Sequence, residues 1–174
     1  QVQLSLAIVK TVRRAMDILK TDLQNSEARA QLFWASSLAL SGITTEGRHG
    51  SFPMHAIEHA LSGYCDTLAH GRGLGTILLK MFDFDSKHIP QKIIALTTYV
   101  FDKAGLTVDS AIQTWEQWFE SHDTGKSLAS CLEKPDPAEL ADTILRLSGT
   151  PDFLPNVAPM SKNDITGFIE QLLK

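Results

Sequence analysis

The sequence predicts an all-α fold, a bundle of about seven or eight helices. Apolar residues recur at three- and four-residue spacings along most of the chain, and helix start signals stand at the heads of these segments. No stretch alternates between apolar and polar residues over a useful length, as a half-buried strand would. Because 174 residues suffice for one good core, we predict a single helical domain over residues 1–174.

The first two predicted helices differ in their apolar pattern. Over residues 4–23 the apolar side chains follow one face of a helix. Over residues 26–40 small and large apolar side chains occur on nearly every side, after an N-cap at Ser26. We therefore predict that the second helix is central and buried. It should stop near Gly42, before a loop over residues 44–53.

The rest of the chain contains six further predicted helices. Their predicted ranges are 54–64, 71–82, 90–104, 108–121, 137–147 and 162–173. Proline or a capping residue stands at several of their heads, as at Pro90, Pro137 and Ser161. The segment 150–159 has the proline content of a linker, but the apolar residues in and beside it favour burial: Phe153, Leu154, Val157 and Met160. We predict a packed connector there rather than a domain boundary.

Charge and cysteine content limit the classes of partner. The formal net charge is −4, from 16 Lys and Arg against 20 Asp and Glu, so we expect no nucleic-acid partner and no membrane. Cys65 and Cys131 form no C-x-x-C pair and are too few for a disulfide framework, so we expect free thiols and a cytoplasmic location. Neither a membrane span nor a signal peptide is recognisable. Because Gln1 opens the sequence inside an amphipathic pattern, we expect part of a longer protein.

Three histidines form the candidate site. His55 and His59 are four residues apart, so on a helix they share one face within reach of a common ion, although such a pair alone is more often a surface and a core histidine. On one straight helix His70 would lie about 22 Å from His55. Gly63 and the polar pair after Cys65 should break the helix and return His70 to His55. Imidazoles so placed suit Fe²⁺, Zn²⁺ or a similar divalent ion, with further ligands from elsewhere.

The segment 55–59 also fits the inverted zinc-protease pattern H-x-x-E-H. In a metallopeptidase of that type Glu58 would be the general base. That interpretation leaves the His-Gly-x-Gly segment at 70–73 unexplained. Otherwise we expect Glu58 to cap or to pair locally, with no chemical role.

The pattern His-x-x-Glu-His-x-Leu-Ser-x-Tyr-x-Asp at 55–66, followed by His-Gly-x-Gly-Leu at 70–74, resembles the C-terminal signature of iron-containing (group III) alcohol dehydrogenases. The butanol dehydrogenase-like branch is the most similar. Residues 27–42 resemble the helix that precedes the signature in that branch, and residues 154–157 and 161–165 resemble its tail.

This resemblance implies a dehydroquinate synthase-like C-terminal helical domain that carries Fe²⁺, or Zn²⁺ or another divalent metal, for NAD(P)H-linked interconversion of alcohols and aldehydes or ketones by hydride transfer. An Asp and three His hold the metal in the family, and His55 and His70 match the last two ligands. His59 matches a non-ligand histidine often assigned to proton relay; its alternative is to orient its neighbours. A glycerol dehydrogenase-like relative is a further alternative.

The resemblance also implies partners outside this sequence. NAD(P)H would bind mainly to an N-terminal nucleotide-binding α/β domain that this chain lacks, and the substrate would be a small alcohol or aldehyde. We expect a homo-oligomer for the full-length protein and no activity from this chain alone. The family's Asp-x-x-x-His ligand helix does not precede His55, and Leu68 or Ala69 is an extra residue before His70. The glycines at 71, 73 and 75 follow no predicted strand and indicate tight packing, so no cofactor-binding residue is assigned.

Overall fold

A computed structural model of the chain describes residues 1–46, 52–124, 128 and 135–174. The helices in this part are α1 (Val2–Thr21), α2 (Ser26–Leu40), α3 (Pro53–Ser62), α4 (His70–Asp85), α5 (Pro90–Phe101), α6 (Val108–Ser121), α7 (Pro137–Ser148) and α8 (Lys162–Leu172). Two short strands, β1 (Phe153–Leu154) and β2 (Met160–Ser161), precede α8. The predicted all-α fold is confirmed. Half of the predicted loop at 44–53, residues 47–51, lies outside the described residues.

The ends of the helices follow local backbone chemistry. We predicted that α5 would continue to residue 104, but it ends at Phe101 because Asp102 adopts a left-handed conformation with φ 56°. The start of α7 was predicted correctly, and its N-cap Asp136 accepts a hydrogen bond from the backbone of Ala138. Gly149, with φ 71°, ends the same helix.

The chain divides into two compact units, each described separately. The first unit contains Gln1–Gly50 and Ile94–Thr107. Here α1 packs against α2 around Ala15, Leu19 and Ala28. The carboxylate of Asp102 forms ion pairs with Lys10 and with Arg14, the latter at 3.0 Å. These hydrogen bonds lower the pKa of Asp102.

The prediction that α2 is central and buried is wrong for this structure. Only Ala28 and Ala35 are buried among its residues, while Phe33 is 76% exposed and Trp34 is 65% exposed. Since α1 covers one side of α2, the small alanines form the contact and the large side chains of the opposite side remain in solvent. Apolar residues on all sides of a helix show its composition, but they do not show how many other helices pack against it.

The second unit contains Ser51–Ile93 and Val108–Lys174 and holds the larger core. Helix α3 packs against α4 and α7, and α8 packs against α7 and α4. Side chains from all four helices are fully buried at the centre: Ile57, Leu61, Ile77, Ile144, Ile165 and Ile169. Burying such side chains removes apolar surface from water and is the main stabilising term of this unit.

The connector before α8 is packed only in part. Leu154 and Met160 are fully buried and face each other as partners in the antiparallel pair of β1 and β2. Phe153 and Val157 are exposed, so the expectation of burial is wrong for these two. The alternation of side chains along an extended segment explains why only one residue of each short strand reaches the core.

A buried polar pair links α4 to this connector. Asp85, the last residue of α4, is 8% exposed and accepts a hydrogen bond from Nδ2 of Asn156 at 2.8 Å. Burial raises the pKa of Asp85, although the hydrogen bond from Asn156 acts in the opposite direction. The carboxylate is therefore costly to ionise in the folded protein, and Asn156 reduces that cost.

Cys65 is disulfide-bonded, so the expectation of free thiols is wrong at this position. Cys131 lies outside the described residues. Within the part of the chain that the structure describes, no helix combines the length and apolar composition that crossing a membrane requires.

Candidate metal centre

The predicted break between the two histidine segments is present. Helix α3 ends at Ser62 and α4 begins at His70. A short turn joins them, in which the backbone N–H of Leu68 donates to the carbonyl of Cys65 at 3.0 Å. The side chains of Cys65 and Leu68 are buried in the core of the second unit and fix the path of this turn. The chain therefore folds back, and the first residue of α4 lies beside α3.

His55, His59 and His70 form one group, which we name the histidine cluster. The ring centroids of His55 and His70 are 5.4 Å apart, those of His59 and His70 are 5.7 Å apart, and those of His55 and His59 are 6.0 Å apart. The two histidines of α3 occupy one face because they are separated by one helical turn. The structure thus brings together all three residues that the sequence singled out.

The electrostatic environment favours neutral imidazole at His55. Burial lowers the pKa of this half-buried residue, and the neighbouring rings of His70 and His59 lower it further. A neutral imidazole keeps a lone pair free for a metal ion, whereas a protonated one does not. His59 and His70 are more exposed, so the cluster opens towards solvent.

The contact between Glu58 and His70 is the feature of the site that sequence reasoning missed. Its side chain is 1% exposed, and its Oε2 lies 2.6 Å from Nδ1 of His70. The hydroxyl of Ser62 donates to Oε1 at 2.7 Å. We predicted only local pairing, which the bond to Ser62 confirms, but the bond to His70 spans twelve residues of sequence. An acid within the buried stretch that contains Ile57 and Leu61 was the available signal, because a buried carboxylate requires partners.

The glycines at positions 71, 73 and 75 differ in their surroundings. A Cβ added at Gly73 would lie 2.9 Å from Cγ of Glu58, and one added at Gly75 would lie 3.1 Å from Cε1 of Phe119. At Gly71 no atom lies within 4 Å of such a Cβ. The prediction of tight packing is therefore confirmed at Gly73 and Gly75 and is wrong at Gly71.

The side chains present fit a divalent cation. Glu58, His59 and His70 each offer one ligand atom, and these atoms all lie within 4.8 Å of one another. This set differs from the pair predicted from sequence, His55 and His70. Both oxygens of Glu58 already accept hydrogen bonds within the protein, which favours the imidazoles as ligands. Imidazole nitrogen is a common ligand of Fe²⁺ and Zn²⁺.

A cluster of three imidazoles lies at the turn between α3 and α4 of a helical fold, an arrangement that suits a divalent metal ion. The family model described as Fe-containing alcohol dehydrogenase family, C-terminal, matches residues 1–173. The chain therefore belongs to the iron-containing alcohol dehydrogenase family and represents its C-terminal part.

Sequence relatives of the chain include two butanol dehydrogenases. The chain is 38% identical over 77 residues to NADH-dependent butanol dehydrogenase B of Clostridium acetobutylicum, a match that covers 44% of this chain and 20% of that protein. It is 39% identical over 71 residues to butanol dehydrogenase A of the same organism, which covers 41% of this chain and 18% of that protein.

Solved structures share the fold. NADH-dependent butanol dehydrogenase A of Thermotoga maritima superimposes with a TM-score of 0.84 at 22% identity, over 97% of this chain and 45% of that chain. The aldehyde reductase of E. coli superimposes with a TM-score of 0.83 at 18% identity. The match covers 98% of this chain and 45% of that chain. At these identities the likeness establishes the fold alone. The chain spans less than half the length of each relative described here.

Proposed function

We propose that this chain is the metal-carrying helical domain of an NAD(P)-dependent alcohol dehydrogenase that interconverts alcohols with aldehydes or ketones. The observation that carries the proposal is the convergence of three imidazoles in a chain of the iron-containing alcohol dehydrogenase family. Residues 1–174 act as one functional domain in this proposal. The NAD(P)H site lies mainly on a separate nucleotide-binding domain, and this chain alone is inactive.

The three histidines have separate roles in the proposed centre. His55 and His70 would hold the divalent ion together with ligands that other parts of the protein supply. Fe²⁺ is the first candidate for this ion, and Zn²⁺ is the alternative. When bound, the ion would supply Lewis-acid polarisation of a substrate oxygen, and NAD(P)(H) would supply the hydride chemistry. His59, which is exposed within the cluster, relays a proton through a ring nitrogen.

A zinc-peptidase function is less compatible with the same residues. In that mechanism the carboxylate of Glu58 must reach a water molecule as general base. The carboxylate is instead buried and accepts hydrogen bonds from Ser62 and His70. This arrangement favours the dehydrogenase proposal over the peptidase.

The proposed partners follow from the same assignment. The substrate is a small alcohol or aldehyde, and the full-length protein is a homo-oligomer. The cytoplasmic location stays a prediction, since the disulfide at Cys65 removes the thiol evidence on which it was based.

Variants of the full-length protein test the histidine roles one residue at a time. His55→Ala or His70→Ala removes a ligand, so each should lower bound metal and kcat together, and excess metal should restore part of the activity. His59→Ala should leave bound metal near normal and should lower kcat on the order of 100-fold, the usual scale of general acid–base help. Bound metal is measured by elemental analysis, and kcat by nicotinamide absorbance.

His88→Ala is the matched control, since His88 is an exposed histidine of the second unit outside the cluster. This variant should change neither the bound metal nor kcat. Normal metal content in both His55→Ala and His70→Ala would contradict the ligand assignment. A metal-depleted His59→Ala protein would make His59 a ligand instead of a proton relay.

A further inference from the structure

We propose that Glu58 is a positioning residue that fixes the tautomer and the ring orientation of His70. The inference deepens the proposed function, because it rests on His70 as a ligand of the metal. The two residues differ sharply in exposure: the side chain of Glu58 is 1% exposed, and that of His70 is 53% exposed. A buried group on α3 therefore restrains a ring that solvent would otherwise leave free to turn.

The hydrogen bond between the two side chains selects one nitrogen of His70. It joins Nδ1 of His70 to Oε2 of Glu58 over 2.6 Å. An ionised carboxylate only accepts hydrogen bonds, so the imidazole donates from Nδ1. With the proton on Nδ1, the lone pair for a metal ion resides on Nε2. Glu58 thus presents Nε2 of His70 as the ligating atom.

Two neighbours hold Glu58 in this position. The hydroxyl of Ser62, one turn later on α3, donates to Oε1 at 2.7 Å, so both carboxylate oxygens have partners. Gly73 on α4 leaves the space that the side chain occupies, since a Cβ there would lie 2.9 Å from Cγ and 3.2 Å from Oε1 of Glu58. The His-Gly-x-Gly segment therefore supplies both the restrained ring and the room for the acid that restrains it.

A direct-ligand role for Glu58 is the competing interpretation, since one of its oxygens lies within 4.8 Å of ligand atoms of His59 and His70. Its burial and its two hydrogen bonds favour positioning, because both oxygens are already directed at partners within the protein. The two roles differ in what a neutral amide at this position would do. The carbonyl of a glutamine can accept from His70 while its NH₂ donates to the Ser62 oxygen.

The test compares Glu58→Gln and Glu58→Leu in the full-length protein, with Glu170→Leu, at an exposed acid of α8, as control. Histidine-selective ¹⁵N NMR of the metal-free protein reads the His70 tautomer, and competition with a chelator reads Zn²⁺ affinity. We expect Glu58→Leu to lose the Nδ1–H tautomer and to bind Zn²⁺ roughly 10- to 100-fold more weakly, the range for lost outer hydrogen bonds to a ligand. Glu58→Gln should retain the tautomer and should lose clearly less affinity.

Each contrary result overturns the inference. An unchanged tautomer in Glu58→Leu removes the positioning role. Equal losses of affinity in both variants, with the tautomer kept in Glu58→Gln, make Glu58 a direct ligand. The tautomer measurement needs no metal, so it judges Glu58 separately from the proposed function. That function fails instead if His70→Ala binds Zn²⁺ as tightly as the unaltered protein.

Discussion

The carboxylate of Glu58 and the imidazole of His70 are joined by a 2.6 Å hydrogen bond between α3 and the first residue of α4. The contact closes the turn that brings the histidine cluster together. It also gives a buried acid the partner that its burial requires. Any change that displaces Glu58 should therefore affect the turn and the cluster at once.

Gly73→Ala should destabilise the protein relative to Gly71→Ala by about 1–3 kcal/mol, the usual cost of overpacking. The added Cβ would lie 2.9 Å from Cγ of Glu58, and the neighbouring acid is held in place by two hydrogen bonds. Gly71→Ala is the matched control, since nothing lies within 4 Å of its Cβ. Urea unfolding measures both variants. Equal stabilities would show that Glu58 moves aside at little cost.

Asn156→Ala should destabilise the protein more at pH 7 than at pH 3, because it removes the donor to the buried carboxylate of Asp85. Burial raises the pKa of Asp85 above its ordinary value of 3.8, so the ionised form costs stability. That cost is absent below pH 3.8 and grows as the pH rises through the folded-state pKa. We expect a loss of about 1.5–3 kcal/mol at pH 7, the scale of a hydrogen bond to a charged group.

The control for the hydrogen bond between Asn156 and Asp85 is Asn163→Ala, at an exposed position in the first turn of α8. It should show no such pH dependence. When Asp85 is replaced by Asn, the loss of stability caused by Asn156→Ala should be the same at pH 7 and at pH 3. A loss of stability that is the same at both pH values would mean that Asn156 acts through packing alone.

Trp34→Ala should leave the stability of the 174-residue chain within about 0.5 kcal/mol, the usual range for surface substitutions, because Trp34 on α2 is 65% exposed. Trp115→Ala is the contrasting variant, since Trp115 on α6 is buried, and it should cost about 3–5 kcal/mol. Thermal unfolding followed by circular dichroism measures both. Comparable losses would mean that something covers this face of α2 in solution.

Local sequence rules predicted the helices well because their causes are local. The apolar period of 3.6 residues and the capping residues act within a few turns, and they located α6 and the start of α7 correctly. They failed at the end of α5, where the left-handed conformation of Asp102 ends the helix without a glycine or proline at that residue. The all-round apolar pattern of α2 was likewise misleading, since a sequence does not state how many neighbours a helix has.

The sequence by itself determined the eight helices of the described part, the break after Gly63 and the three histidines that meet across it. These follow from backbone propensity, spacing and the chemistry of imidazole, which are properties of short segments. The tertiary structure alone decided which side of α2 is covered, that Glu58 is buried, and that its partner is His70. Burial and pairing depend on which surfaces meet when the helices pack, so residues twelve apart interact only once α3 and α4 have docked.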